Sequence, residues 1–302
     1  MTVQKPDRTK TKSMEETLRL TLDQLTPEDN PQDDTDYHKS VRRRADQPIN
    51  TINDKAFTQG EVRQVIVRLK QKKAPGPNGI TNEIVKLIFK AIPKTITSIY
   101  NECLRTRSFP ANWKIVKVLP IIKPGKEESG DLSKYRPISL LNTEGKVLEK
   151  LLIQRIMHHV YTTEALNKNQ YGFTPQKSTV DAAMEVRQYI EPHIEKGGVA
   201  ITISLDVQEA FGSAWWPAIL QRLRDTNCPR NLYHLTQDYM RGRKAVMAIN
   251  NLSAERSITK GCPQRSCCGP GLWNLQYDTL LNIQYKAHTR VMAFTDDLLV
   301  MI

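Results

Sequence analysis

The sequence predicts an α+β fold, with helices first and antiparallel strands later. Three observations carry that expectation. Apolar residues recur at helical spacing over Val62–Leu69 and again over Val147–Ile156. Large and small side chains alternate through VAITISLD, residues 199–206. The last twelve residues, VMAFTDDLLVMI, are two apolar runs flanking a TDD turn. Helical patterns followed by hairpin-like strands suit an α+β or mixed architecture better than alternating βαβ units.

Residues 1–55 are polar and rich in Thr, Asp and Pro, and read as a leader or linker with one helix near 14–25. Order is expected from Phe57, where Thr58 and Glu61 form a capping box and Phe57 and Val62 a staple. That helix must end in KKAPGPNG, whose prolines and glycines stop it. Helices are expected near 82–91 and 94–106, a strand over 114–122, and a long basic turn over KPGKEESGDLSKYRP. Ser178 and Asp181 cap a helix running to Gly197. Strands follow at 199–206, 244–250, 291–295 and 298–302. No internal repeat is visible.

The chain has 302 residues, 39% of them hydrophobic, which is ample for a sizeable core. No apolar stretch approaches the roughly 20 residues of a membrane helix, and MTVQKPDRTKTK carries no apolar signal region. Five cysteines without paired short spacings fit a reducing, intracellular setting. Charge is unevenly distributed. Residues 61–160 carry 19 Lys/Arg against 8 Asp/Glu, net +11, of a whole-chain +12. A regional surplus of this kind is the footprint of a polyanion partner, or else a solvated basic surface.

A TDD turn is ordinary turn chemistry by itself. Asp206 changes its meaning, because it closes a strand with one small, polar face. If that strand lies beside the terminal hairpin, Asp206, Asp296 and Asp297 converge. Three like charges repel unless cations neutralise them. Oxygen-only ligands suit two Mg²⁺ or Mn²⁺ ions, the arrangement that serves nucleotidyl transfer to a 3′-hydroxyl.

Six segments then occur in an order that is itself informative: KKAPGPNGI (72–80), VLPIIKPGK with YRPISLLN (118–142), QYGFTPQKST (170–179), ISLDVQEAFGSAWWP (203–217), KGCPQRSCCGPGLWNL (260–275) and AFTDDLLV (293–300). Together they resemble the reverse transcriptase domain of non-LTR (LINE-type) retrotransposons, particularly insect elements, over residues 10–302. The resemblance implies a right-hand polymerase fold. On that reading residues 1–55 are a leader, 56–195 the fingers with supporting palm helices, and 196–302 an incomplete palm with an antiparallel sheet. Further palm, a helical thumb and an upstream endonuclease belong to the family and lie outside this sequence. By the same resemblance Asp206, Asp296 and Asp297 are the metal-binding carboxylates. Phe211 is the ring that rejects a 2′-hydroxyl, Gln264 contacts the incoming nucleotide, and Lys123 and Arg136 reach its triphosphate. The implied partners are an RNA template, a DNA primer or target and dNTPs, with no membrane and no structural zinc, and the nucleus is the expected location.

Several positions depart from the family pattern. Gly212 replaces an Asp expected to cap the next helix. Arg265 replaces the glycine of CPQGS, where a positive φ or close backbone approach is expected. Asn78 and Thr295 are milder changes. The alternative to an RNA-directed DNA polymerase is therefore a truncated, catalytically inactive remnant that at most binds nucleic acid. An RNA-templated RNA polymerase would share the carboxylates, but Phe211 argues against it.

Overall fold

A computed structural model describes residues 2–5, 7–26, 28–127, 129–207, 209–286 and 288–302. Helices and strands mix as expected for an α+β chain. The helices are α1 (Met14–Leu25), α2 (Asp36–Asp46), α3 (Gln59–Val67), α4 (Asn82–Ala91), α5 (Pro93–Thr106), α6 (Thr143–Thr162), α7 (Thr179–Glu195), α8 (Ala210–Ser213), α9 (Trp216–Asp225), α10 (Arg230–Met240) and α11 (Gly269–Leu281). The strands are β1 (Ile115–Ile122), β2 (Tyr135–Leu141), β3 (Thr202–Asp206), β4 (Arg243–Ile249), β5 (Leu252–Ile258), β6 (Arg290–Phe294) and β7 (Asp297–Met301).

The periodic apolar run of α6 makes it the spine of the core. Val147, Leu148, Leu151, Leu152 and Ile156 are all buried, and α6 packs with α3, α4, α10 and α11. Both expected caps form: Thr58 with Glu61 on α3, and Ser178 with Asp181 on α7. Each satisfies two backbone donors that a helix start leaves free.

The strands form two sheets, ordered β2-β1-β4-β5 and β3-β7-β6. All pairings are antiparallel except β1 with β4, which run parallel from Ile115 opposite Lys244. In the first sheet Val116, Val118, Leu141, Ala245 and Met247 are sealed by Leu18 and Leu22 of α1. In the second, β7 is central and β3 is an edge. The aliphatic row on β3 stays open, with Ile203 at 43% and Leu205 at 49% exposure, preceded by Val199 and Ile201.

Three elements differ from the sequence reading. Within residues 1–55, α2 joins the expected α1, and it buries Val41 and Ala45 against the body of the chain. Strand β2 occupies the end of the expected basic turn. Its Pro137 lies opposite Pro120, which is tolerable because β2 is an edge and β1 meets β4 only at residues 115–117. Strand β5, LSAERSI, pairs with β4 although its pattern carries little apolar alternation.

Candidate active site

The site begins with a two-residue hairpin. Strand β6 ends at Phe294 and β7 starts at Asp297, so Thr295 and Asp296 form the turn. Asp206, the last residue of β3, stands directly opposite Asp297. Cross-strand partners project to the same face with Cβ atoms about 5 Å apart, and like charges so placed destabilise a sheet. The Val207 N–H donates to the Asp296 carbonyl at 3.3 Å, which brings the third carboxylate to the same corner.

The turn is held from several directions. The Trp273 indole N–H donates to the Thr295 carbonyl at 2.9 Å, and the Tyr277 hydroxyl donates to the Asp296 carbonyl at 3.1 Å. The Thr295 hydroxyl donates to Asp296 Oδ1 at 2.6 Å. Thr295 has φ +59°, a rare conformation for a β-branched residue, so its substitution is not the mild change its chemistry suggested. Beneath it lies Gly172, where a Cβ would stand 2.0 Å from the Thr295 nitrogen. Only glycine lets these two backbones meet.

Tyr277 registers the charge at this corner. Burial raises its phenol, and Asp296, Asp297 and Asp206 raise it further, to about 12. All three carboxylates thus act on one hydroxyl. Asp206 and Asp297 are exposed and Asp296 is half-buried, so their oxygens are open to a ligand. Among the described residues, however, no three His, Cys, Asp or Glu side chains stand close enough to enclose one ion. The donor set of accessible carboxylates fits Mg²⁺ or Mn²⁺ by its chemistry.

Phe211 lies in the short helix α8, right after β3. Its ring sits 6.1 Å from Phe173 and 6.4 Å from Trp273, centroid to centroid, and Trp273 stacks on Tyr277 at 5.2 Å. The Cys262 N–H donates to the Phe211 carbonyl at 2.7 Å, fastening α8 to the segment that carries Gln264. Gly212 lies inside α8 and does not cap α9. The capping position of α9 is Trp215, which makes no side-chain cap bond.

Gln264 and Arg265 occupy a turn closed by Ser266 N–H to the Pro263 carbonyl at 2.9 Å. Arg265 is exposed and has φ +74°. An arginine there stores backbone strain of about 1–3 kcal/mol, as expected at a position suited to glycine. Sequence reasoning missed the residue that anchors this turn. Glu149 of α6 is 1% exposed, and its Oε2 accepts from the Ser266 hydroxyl at 3.1 Å and the Cys267 N–H at 3.0 Å. The signal was a carboxylate inside the apolar run VLEKLLIQRI.

Lys123 and Arg136 stand apart from these groups, on the β1–β2 hairpin. Arg136 is exposed opposite Ile121, and the Lys123 N–H donates to the Lys134 carbonyl at 2.8 Å. None of the described contacts joins them to the carboxylate corner.

Comparison with known proteins bears on the family of the chain. Residues 121–302 match the family described as Reverse transcriptase (RNA-dependent DNA polymerase). A Retrovirus-related Pol polyprotein from a type-1 retrotransposable element of Bradysia coprophila is 34% identical over 78% of this chain and 23% of its own length. An RNA-directed DNA polymerase from the mobile element jockey of Drosophila funebris is 34% identical over 71% of this chain and 23% of its own. A probable RNA-directed DNA polymerase from transposon X-element of Drosophila melanogaster is 32% identical over 81% and 27%. The chain thus spans only about a quarter of the length of these relatives. It belongs to the reverse transcriptase family of enzymes, and within it to the LINE-type retrotransposon polymerases.

Proposed function

We propose that this chain is the polymerase core of a LINE-type reverse transcriptase, extending a primer 3′-hydroxyl with dNTPs on an RNA template. The pairing of Asp206 with Asp297, beside Asp296 in the turn, is the observation that carries the reading. Two exposed carboxylates directly opposite each other have no structural benefit and suit a site for divalent cations. Two Mg²⁺ or Mn²⁺ ions held by Asp206, Asp296 and Asp297 would supply activation of the 3′-hydroxyl and stabilisation of the departing pyrophosphate. Phe211 excludes a 2′-hydroxyl by bulk, and Gln264 contacts the nucleotide from the turn fastened to it. Arg136 and Lys123 grip the triphosphate, Arg as a bidentate fork and Lys as a point charge. In this proposal β1–β2 belongs to the fingers and β3-β7-β6 to the palm. The basic surplus of residues 61–160 holds template and primer.

Arg265 favours a second reading, a nucleic-acid-binding remnant with a damaged nucleotide site. Primer extension on an RNA template with dNTPs and Mg²⁺ separates the two. The polymerase reading requires extension by the wild-type chain that disappears in Asp296→Ala. Extension by Arg265→Gly alone would mean a sound site carrying one inactivating substitution. If none extends while filter binding of template-primer falls steeply with salt, as phosphate contacts require, the remnant reading holds.

A further inference from the structure

Phe173 is a phenylalanine in an unfavourable place. It is 46% exposed and has φ +55°. Among the described residues its ring belongs to no hydrophobic cluster, and Phe211 is its aromatic neighbour. Exposure and positive φ both disfavour a bulky aromatic side chain. Such a conformation persists only where the surroundings over-determine it.

Here they do. The Tyr171 N–H donates to the Ala293 carbonyl at 2.8 Å, and the Ala293 N–H to the Asn169 carbonyl at 2.9 Å, so residues 169–171 are bonded to β6. The Gly172 N–H donates to Gln170 Oε1 at 3.0 Å, and its carbonyl accepts from Asn274 Nδ2 of α11 at 2.8 Å. Gly172 itself is pressed against Thr295. Apart from local bonds such as that to Gln170, the bonds that fix the segment leading into Phe173 run to β6 of the Asp296–Asp297 hairpin or to α11 behind it.

We infer that Phe173 is a positioning residue for Phe211, and thereby part of the filter that separates deoxyribonucleotides from ribonucleotides. Phe211 lies in a row of rings, with Trp273 on the core side and Phe173 on the solvent side. Gly269 sits against the ring, its notional Cβ 3.5 Å away, so the ring is bounded there too. A steric filter for a single hydroxyl works only if its wall cannot yield, and a wall loose by about 1 Å admits the group it should refuse. Phe173 bounds Phe211 on a further side, beyond those met by Trp273 and Gly269. This inference rests on the proposed role of Phe211.

The test compares Phe173→Ala, Phe173→Tyr and Phe211→Ala with the wild type. The readout is the ratio of kcat/KM for a dNTP to that for the matching NTP on one RNA template-primer. Loss of a single ring contact predicts that Phe173→Ala lowers this ratio about three- to tenfold, with Phe173→Tyr restoring it. A purely structural role would lower both efficiencies together and leave the ratio unchanged. If Phe211→Ala relaxes the ratio and Phe173→Ala does not, the inference is overturned while the role of Phe211 stands. If Phe211→Ala also leaves the ratio unchanged, both fail. Where turnover is too slow to measure, the same discrimination is read from binding, as the quench of tryptophan fluorescence by dCTP and by CTP in the presence of template-primer and Mg²⁺. The same outcomes then decide.

Discussion

Two hairpins in this protein share one geometry and differ in what occupies it. In β4–β5 the loop is Asn250-Asn251, with Ile249 opposite Leu252 and φ +53° at Asn250. In β6–β7 the loop is Thr295-Asp296, with Phe294 opposite Asp297 and φ +59° at Thr295. Asparagine tolerates a positive φ and is a natural choice for a tight turn. Threonine resists it. Among the described residues, no hydrogen bond from outside β4–β5 holds the first turn. The second is held by Gly172, Trp273, Tyr277 and its own hydroxyl. Between these two hairpins, the strained turn is the one that carries a carboxylate. Phe173, which follows the segment bonded to β6, also has a positive φ.

The sharpest way to break this contrast is Gly172→Ala. Its Cβ meets backbone at 2.0 Å, so the Thr295 turn must move. A displacement of about 1 Å at reacting groups costs on the order of a hundredfold in rate, so primer extension should fall by at least that much. Asn250→Ala in the other hairpin should leave extension unchanged. A Gly172→Ala variant of normal rate would show that the close contact is incidental.

Exchanging the turn residues tests the strain itself. Thr295→Asn should stabilise the fold by about 1 kcal/mol in urea unfolding, and Asn250→Thr should destabilise it by about as much. Thr295→Asn also removes the hydroxyl that orients Asp296, so its added stability should come with slower extension. Equal, small effects at both positions would mean that the two turns are energetically alike.

The smallest expected effect is the most direct report on charge. The folded phenol of Tyr277 titrates near 12, above its usual 10.0. A raised value means that its contribution to stability is complete below pH 10 and is lost as pH rises through 12. Asp206→Asn should move this titration back toward 10 by a fraction of the shift, since burial is the larger cause. Ultraviolet difference titration would follow it. No movement would place Asp206 too far away to share the corner.

Much of this was legible from local pattern. The spine α6 followed from its 3.6-residue period, the caps of α3 and α7 from Ser/Thr with an acid three residues on, and β3 from its alternation. What could not be read is what depends on distant partners. Nothing near Gly172 announces Thr295, and nothing in EKLLIQ says that Glu149 reaches Ser266. Strand β2 was hidden by Pro137, whose tolerance depends on being at an edge. Helix α2 was hidden by a composition in which two buried residues, Val41 and Ala45, are outnumbered by charge.

The open row of β3 has a consequence for handling the protein. An edge strand offers unpaired N–H and C=O groups to any extended chain, and here it also offers Ile203 and Leu205, with Ile201 and Val199 before them. Natural edges are usually blunted by lysine, proline or a bulge. This one has none of these between Ile201 and Asp206. Its colloidal behaviour should therefore be limited by strand-to-strand association well before the core unfolds. Ile203→Lys should raise the soluble yield with little change in melting temperature.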